Sequence, residues 1–201
     1  MAISYQNFIE QYETHALHHF RHFKAVLQNI DDAIQIVDWS NENGSSEYSM
    51  RIIFDINKNT MLITGDLGTA VYEFTEPATL EAISKYNNFE YFESKLKCSA
   101  DVNIFDDELA EIQLKERLLP EDLSDKGQIY RRKTLIECIL WTLPNCIDED
   151  DEAMLADIDP HWDEWLFNIG KLPAPRHIIY WQALKSISSY LANNVSQNTV
   201  S

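Results

Sequence analysis

Four histidines, His15, His18, His19 and His22, sit close together near the start of the chain. The pairs 15/19 and 18/22 are each i, i+4, a spacing that places two imidazoles on one helix face, where they can share a metal ion. Yet His19 falls inside an apolar stripe and the others lie along its edge, with no HExxH pattern. Amphipathic packing is the plainer reading. A second set, Asp157, Asp159, His161 and Asp163 in ADIDPHWDEW, alternates oxygen ligands with an imidazole. Such a set can hold a divalent cation, but the central Gly and closing Glu of an EF-hand are missing. A solvated acidic loop leading into a helix anchored by Trp162, Trp165 and Leu166 accounts for it as well. The turn Gly65-Asp66-Leu67-Gly68 lacks the spacing and Lys of a P-loop, and Asp66 would repel a phosphate. No GxSxG elbow is present, and residue order alone assigns no triad.

Charge is the strongest functional signal. Asp148, Glu149, Asp150, Asp151, Glu152, Asp157, Asp159, Asp163 and Glu164 follow one another with no Lys or Arg among them. Asp106, Asp107, Glu108, Glu111, Glu121 and Asp122 form a second acidic stretch. A charge run is often just a solvated face. Carboxylates on a rigid helical scaffold can also occupy sites built for phosphates, with fast, salt-sensitive association. Trp162, Trp165 and Phe167 sit among them as core residues or as interface anchors. The basic cluster Lys126, Arg131, Arg132 and Lys133 is expected to pair with local acids. It is too small to hold nucleic acid against a net charge of −17.

Several elements must position these groups. Ser4 is a plausible helix N-cap. Tyr5, Phe8, Ile9, Tyr12, Ala16, Phe20, Phe23, Val26, Leu27 and Ile30 recur at helical spacing, so a long first helix is expected, with a second short helix or an extension from Asp31 through Trp39. The tract Ser40–Ser46 is a polar loop. From Tyr48 to Ile56 the pattern changes to period two, which marks a half-buried strand. Turns at Asn57–Thr60 and Gly65–Gly68, where each Gly can supply a positive φ, lead to strands Met61–Thr64 and Ala70–Phe74. Helical spacing returns at Leu80, Ile83 and Tyr86, then at Phe89, Phe92 and Leu96. A charged helix spans Asp106–Leu119 before Pro120, and a more apolar one Gln128–Leu143. The last helix opens at Pro175 and carries Tyr180, Leu184, Ile187 and Leu191, with a polar tail from Asn193.

Hydrophobic residues make up 45% of the 201, enough for a buried core, and Gly and Pro number only 5 and 6, which disfavours an all-β sandwich. Three cysteines, Cys98, Cys138 and Cys146, form no CxxC pair and no disulfide framework. Cys138 reads as a buried small hydrophobe. The first residues have neither the basic nor the apolar region of a signal peptide, and no run is long enough to span a bilayer. The expected location is the host cell cytoplasm.

The segments SMRIIFD, MLITGDLG, AVYEF and YFESKLKCS, and more weakly LIECILW and PRHIIYWQALKSI, resemble a family of uncharacterised proteins carried by phages and prophages. The first helix and the acidic tract lie outside the resemblance. It implies a genetic setting, a small accessory product acting inside a bacterium, and assigns no catalytic or binding residue.

The fold expected is α+β: a small three-stranded antiparallel sheet packed by helices, with a mostly helical C-terminal half. Residues 1–39 form an amphipathic helical segment, 47–143 a sheet-and-helix core, and 144–195 the acidic tract and C-terminal helices. The function expected is that of a non-enzymatic, phage-type inhibitor of a bacterial nucleic-acid-handling complex, an anti-CRISPR or other anti-defence protein. Its partner is a protein or ribonucleoprotein with a basic surface, met by the nine carboxylates from Asp148 to Glu164. No cofactor, catalytic residue, metal ligand, direct nucleic-acid contact or membrane contact is expected. The alternatives are a metal-dependent enzyme or binding module, and a structural or regulatory phage protein that dimerises through the first helix.

Overall fold

The computed structural model describes residues 4–143 and 147–198, for 195–198 the backbone alone. The elements run α1 (Tyr5–His19), a 3₁₀ turn (Phe20–His22), β1 (Phe23–Asn29), β2 (Ile34–Asn41), β3 (Met50–Asp55), β4 (Thr60–Gly65), β5 (Ala70–Glu73), α2 (Leu80–Ile83), α3 (Phe89–Glu93) and β6 (Leu96–Ser99). They continue with β7 (Asn103–Phe105), α4 (Asp107–Leu118), α5 (Lys126–Thr142), α6 (Glu149–Ile158), α7 (Trp162–Leu166), β8 (Lys171–Pro173) and α8 (Pro175–Asn198). The class is α+β. The chain forms two compact units: a sheet unit, Phe8–Val102 with the residues from Ala174 on, and a helical unit, Asn103–Pro173 with the residues up to Asn7.

In the sheet unit six strands, not three, lie side by side in chain order, each antiparallel to the next. Alternation puts Met50, Ile52, Phe54, Met61, Ile63, Ala70 and Tyr72 on one buried face. On the other face the register aligns Ile36, Ile53, Leu62 and Val71 in one half-buried row across four strands. Burying one face of such a sheet requires a helical layer, and α8 supplies it with Ile178, Trp181, Leu184 and Ile187. Tyr190 of α8 meets Trp39 of β2 edge-on, at 6.0 Å. Gly65 closes the β3–β4 pairing at φ +148°, where a Cβ would lie 2.2 Å from the Ser49 carbonyl oxygen. No other residue type fits there.

Parts of three expected helical stretches are strands. Ser4 does cap α1, its Oγ accepting from Asn7 N at 3.2 Å. The helix then ends at His19 and the chain turns into β1, so Phe23, Val26 and Leu27 lie on a strand. Asp31 caps no second helix. Its Oδ1 accepts from Ala33 N and Ile34 N, both at 2.8 Å, and turns β1 back into β2. Leu96, expected to continue a helix, starts β6, because α3 stops at Glu93.

In the helical unit the expected helices α4 and α5 form, and the acidic tract, expected as a loop leading into a helix, itself contains the helix α6 before α7. α4, α5 and α6 each have an aspartate cap, and α7 has no side-chain cap. Asp106, Asp125 and Asp148 accept from Leu109 N, Gln128 N and Asp151 N at 2.7–2.9 Å and begin α4, α5 and α6. Ala110, Leu114 and Leu118 of α4 pack against Leu135, Ile136 and Ile139 of α5, with Leu155 and Leu166 completing the core. Gly170 takes φ +67°, and a Cβ there would lie 2.7 Å from both Ala110 Cβ and Phe105 Cε2. Cys138, expected to be buried, is exposed on the outer side of α5, because Leu135, Ile136 and Ile139 define the inner side. Cys146 lies outside the described residues. No helix among the described residues is long and apolar enough to cross a membrane.

Candidate functional site

The acidic tract lies on α6, α7 and the link between them, and the fold sorts its carboxylates by duty. Asp148 is the cap of α6. Asp151, one turn on, is only 7% exposed and its Oδ2 has no hydrogen-bond partner. Burial, then repulsion from Asp148 and Asp150, pushes its carboxyl above the usual range. Asp159 acts internally as well. Its Oδ1 accepts from His161 N at 2.9 Å and its Oδ2 from the Trp165 indole N–H at 2.8 Å. These bonds hold its carboxyl below the usual range. Trp165 is thereby fixed in the core with Leu166, while Phe167 is exposed and Trp162 half-buried.

The remaining members face water. Glu149, Asp150 and Glu152 are exposed in the first turn of α6, where the positive end of the helix dipole favours them. Asp163 and Glu164 open α7, and Glu164 lies 3.3 Å from His161 Nδ1. Asp157 lines a small groove with Gln128, Arg131, Arg132, Met154 and Ile158. The expectation that the basic cluster pairs with local acids fails. Among the described residues Lys126, Arg131, Arg132 and Lys133 form no ion pair, and Arg132 donates to the Leu118 carbonyl at 3.0 Å.

By sequence the helical unit carries 18 acidic and 7 basic residues, a net −11, and the sheet unit 15 and 9, a net −6. The smaller unit therefore carries most of the charge. No Lys or Arg is paired with Glu149, Asp150, Glu152 or Asp163 among the described residues.

The other candidates have local partners. His15 Nε2 meets the Tyr48 hydroxyl at 2.8 Å, and the His19 ring stacks on Tyr48 with centroids 4.4 Å apart. Among the described residues no group of three or more His, Cys, Asp or Glu is arranged to hold a metal ion. The Gly65–Gly68 turn joins β4 to β5, with Asp66 Oδ2 accepting from Tyr48 N at 2.9 Å.

Two features escaped the sequence. The sheet unit buries a polar relay: the Tyr72 hydroxyl lies 2.7 Å from His177 Nδ1, and His177 Nε2 lies 2.9 Å from the Asp101 carbonyl. A carbonyl only accepts, so Nε2 carries the proton and Nδ1 accepts from Tyr72. Burial pulls the His177 pKa down and pushes that of Tyr72 up. The pair of hydrogen bonds fixes a neutral imidazole in one orientation inside the core. The second feature is Trp141, 89% exposed at the C-terminal end of α5. The sequence places it in the more apolar helix Gln128–Leu143 without singling it out.

No family model, curated protein or solved structure matches this chain.

Proposed function

We propose that the chain is a non-enzymatic accessory protein that binds a basic surface of a bacterial nucleic-acid-handling complex and blocks it, as a phage-type anti-defence inhibitor does. One observation carries the reading: the net −11 of the helical unit, with Glu149, Asp150, Glu152 and Asp163 exposed and without basic partners among the described residues. Such a surface attracts basic grooves built for phosphates and repels nucleic acid itself. The reading narrows the contact set. Asp151 and Asp159 serve the fold, and Asp148 caps a helix, so recognition falls to Glu149, Asp150, Glu152, Asp157, Asp163 and Glu164.

The test is capture from a bacterial lysate that carries defence systems, with washes of rising salt. The expected result is a DNA- or RNA-handling complex held at low salt, released at high salt, displaced by added duplex DNA, and not captured by the triple variant Glu149→Gln, Asp150→Asn, Glu152→Gln. Retention that salt and the triple variant both leave unchanged would overturn the acidic-face mechanism.

A further inference from the structure

Trp141 does not stand alone. A groove of about 470 Å³ is lined by Asp107, Glu108, Glu111, Glu137, Leu140 and Trp141. It forms where the first turns of α4 run beside the last turns of α5. Asp107 and Glu111 are one turn apart on α4, as are Glu137 and Trp141 on α5, so each helix turns its pair toward the same side. Glu111 is also bonded to Lys115, one turn further along α4. The inner face of α5 is occupied by Leu135, Ile136 and Ile139. Its outer face therefore leaves Trp141 in water, together with Tyr130, which is 73% exposed and nearly in line with it three turns earlier. A large indole on the surface, ringed by carboxylates, is an unusual expense of apolar area unless something covers it.

The chemistry of the groove specifies the occupant. The face of an indole attracts cations, and carboxylates around it strengthen that attraction and discriminate against anions. The C-terminal end of α5 adds the negative pole of a helix dipole, and no basic residue in its last turn offsets it. A planar guanidinium can stack on the ring and donate to carboxylates on its edge at the same time, which an ammonium cannot do as well. We infer that this groove docks an arginine side chain of the partner protein, stacked on Trp141 and bracketed by Glu111 and Glu137. The inference rests on the reading of this chain as a binder of basic surfaces, and it places the anchoring contact on α4 and α5, distinct from the α6 carboxylates.

The test uses the full chain and a blocked tri-arginine peptide as probe, with its citrulline counterpart as the neutral isostere. The protein has five tryptophans, so nitrogen–proton correlation spectra carry five indole signals, and Trp141→Phe assigns the relevant one. The arginine peptide at low salt is expected to move the Trp141 indole signal saturably, while the citrulline peptide leaves it in place. Trp141→Ala should weaken binding about two- to fivefold, and Trp141→Phe should keep most of it. Glu137→Gln should weaken it further and flatten its salt dependence. If the peptide shifts the backbone amides of α6 but not Trp141, the arginine groove is wrong and the acidic-face reading survives. If Trp141 shifts while α6 stays still, the groove is supported as a separate contact. Equal shifts from both peptides, or no shift from either, would overturn cation recognition at Trp141.

Discussion

The two units place their charge differently. In the sheet unit several charged and polar side chains find partners within the fold, although the Trp39 indole N–H and the Ser99 and Tyr180 hydroxyls are buried without a hydrogen-bond partner among the described residues. Tyr72, His177 and the Asp101 carbonyl form a buried chain, Arg51 forks onto both oxygens of Asp38 at 2.7 and 2.8 Å, and Lys185 lies between Glu13 and the Trp181 ring. In the helical unit Asp106, Asp125 and Asp148 cap helices, Asp159 holds the Trp165 indole and Asp151 is buried, while Glu149, Asp150, Glu152 and Asp163 face outward and Trp141 is exposed. A burial-rich, charge-paired region is built to be rigid. On the proposed reading, the region with unpaired carboxylates and an uncovered aromatic is the one that meets a partner.

Mutations can break or sharpen that contrast, and the largest effect belongs to the sheet. Phe54 is fully buried, so Phe54→Ala should cost about 3–5 kcal/mol, read by urea denaturation. A loss under about 1 kcal/mol would mean that the sheet core is not the rigid part. Next is the relay. Replacing His177 by Ala strands the Tyr72 hydroxyl and should cost about 1–3 kcal/mol. Because the His177 pKa is lowered in the folded state, its contribution is present above the ordinary histidine range and lost as pH falls through it. The wild-type unfolding midpoint should therefore drop on acidification from pH 7 to 5, and His177→Gln should flatten that part of the profile.

The sign reverses in the helical unit. Asp151 has a raised pKa, so its ionised form opposes folding at neutral pH, and stability is regained as pH falls through the folded value. Asp151→Asn should raise the melting temperature at pH 7 and lose that advantage in acid, as calorimetry across pH would show. A lower melting temperature at neutral pH would mean that the carboxylate is needed where it is. Smallest of all, Trp141→Ala should change stability by no more than about 0.5 kcal/mol, even though it removes the largest side-chain type. A loss of several kcal/mol would place Trp141 in the core and remove the contrast at that point.

The parts of the fold legible in the sequence are those with both periodicity and punctuation. β3, β4 and β5 alternate strictly and are separated by turns with Gly65 or Asn59, both at positive φ. Likewise α4 and α5 begin at aspartate caps, and α4 stops just before Pro120. β1 and β2 lacked the punctuation. Phe20, Phe23, Val26, Leu27 and Ile30 satisfy a helical template as well as a strand one, and neither Gly nor Pro separates α1 from β1. Asp31 has the same chemistry at a helix start and in a hairpin turn, and only the pairing with β2 decides between them. The acidic tract was visible as charge, but the division of labour within it was not. That Asp159 holds the Trp165 indole and that Asp151 is buried depend on how α6 and α7 pack. Trp141 was hidden by its company, since the apolar run around it on α5 says that the helix is buried without saying which side.

The route of the chain through the sheet unit has a consequence for its synthesis. The strands are complete by Ser99, but α8, which covers their apolar face, begins only at Pro175. Between them the ribosome must make the Asn103–Pro173 part of the helical unit, roughly 70 residues, which takes roughly 4–14 s at elongation rates of about 5–20 residues per second. During that interval the nascent meander displays Ile52, Phe54, Met61 and Ile63 without their lid. The growing chain is thus a client for chaperones that bind exposed apolar strands, and a stop codon anywhere in the inserted unit would release a sheet that cannot close.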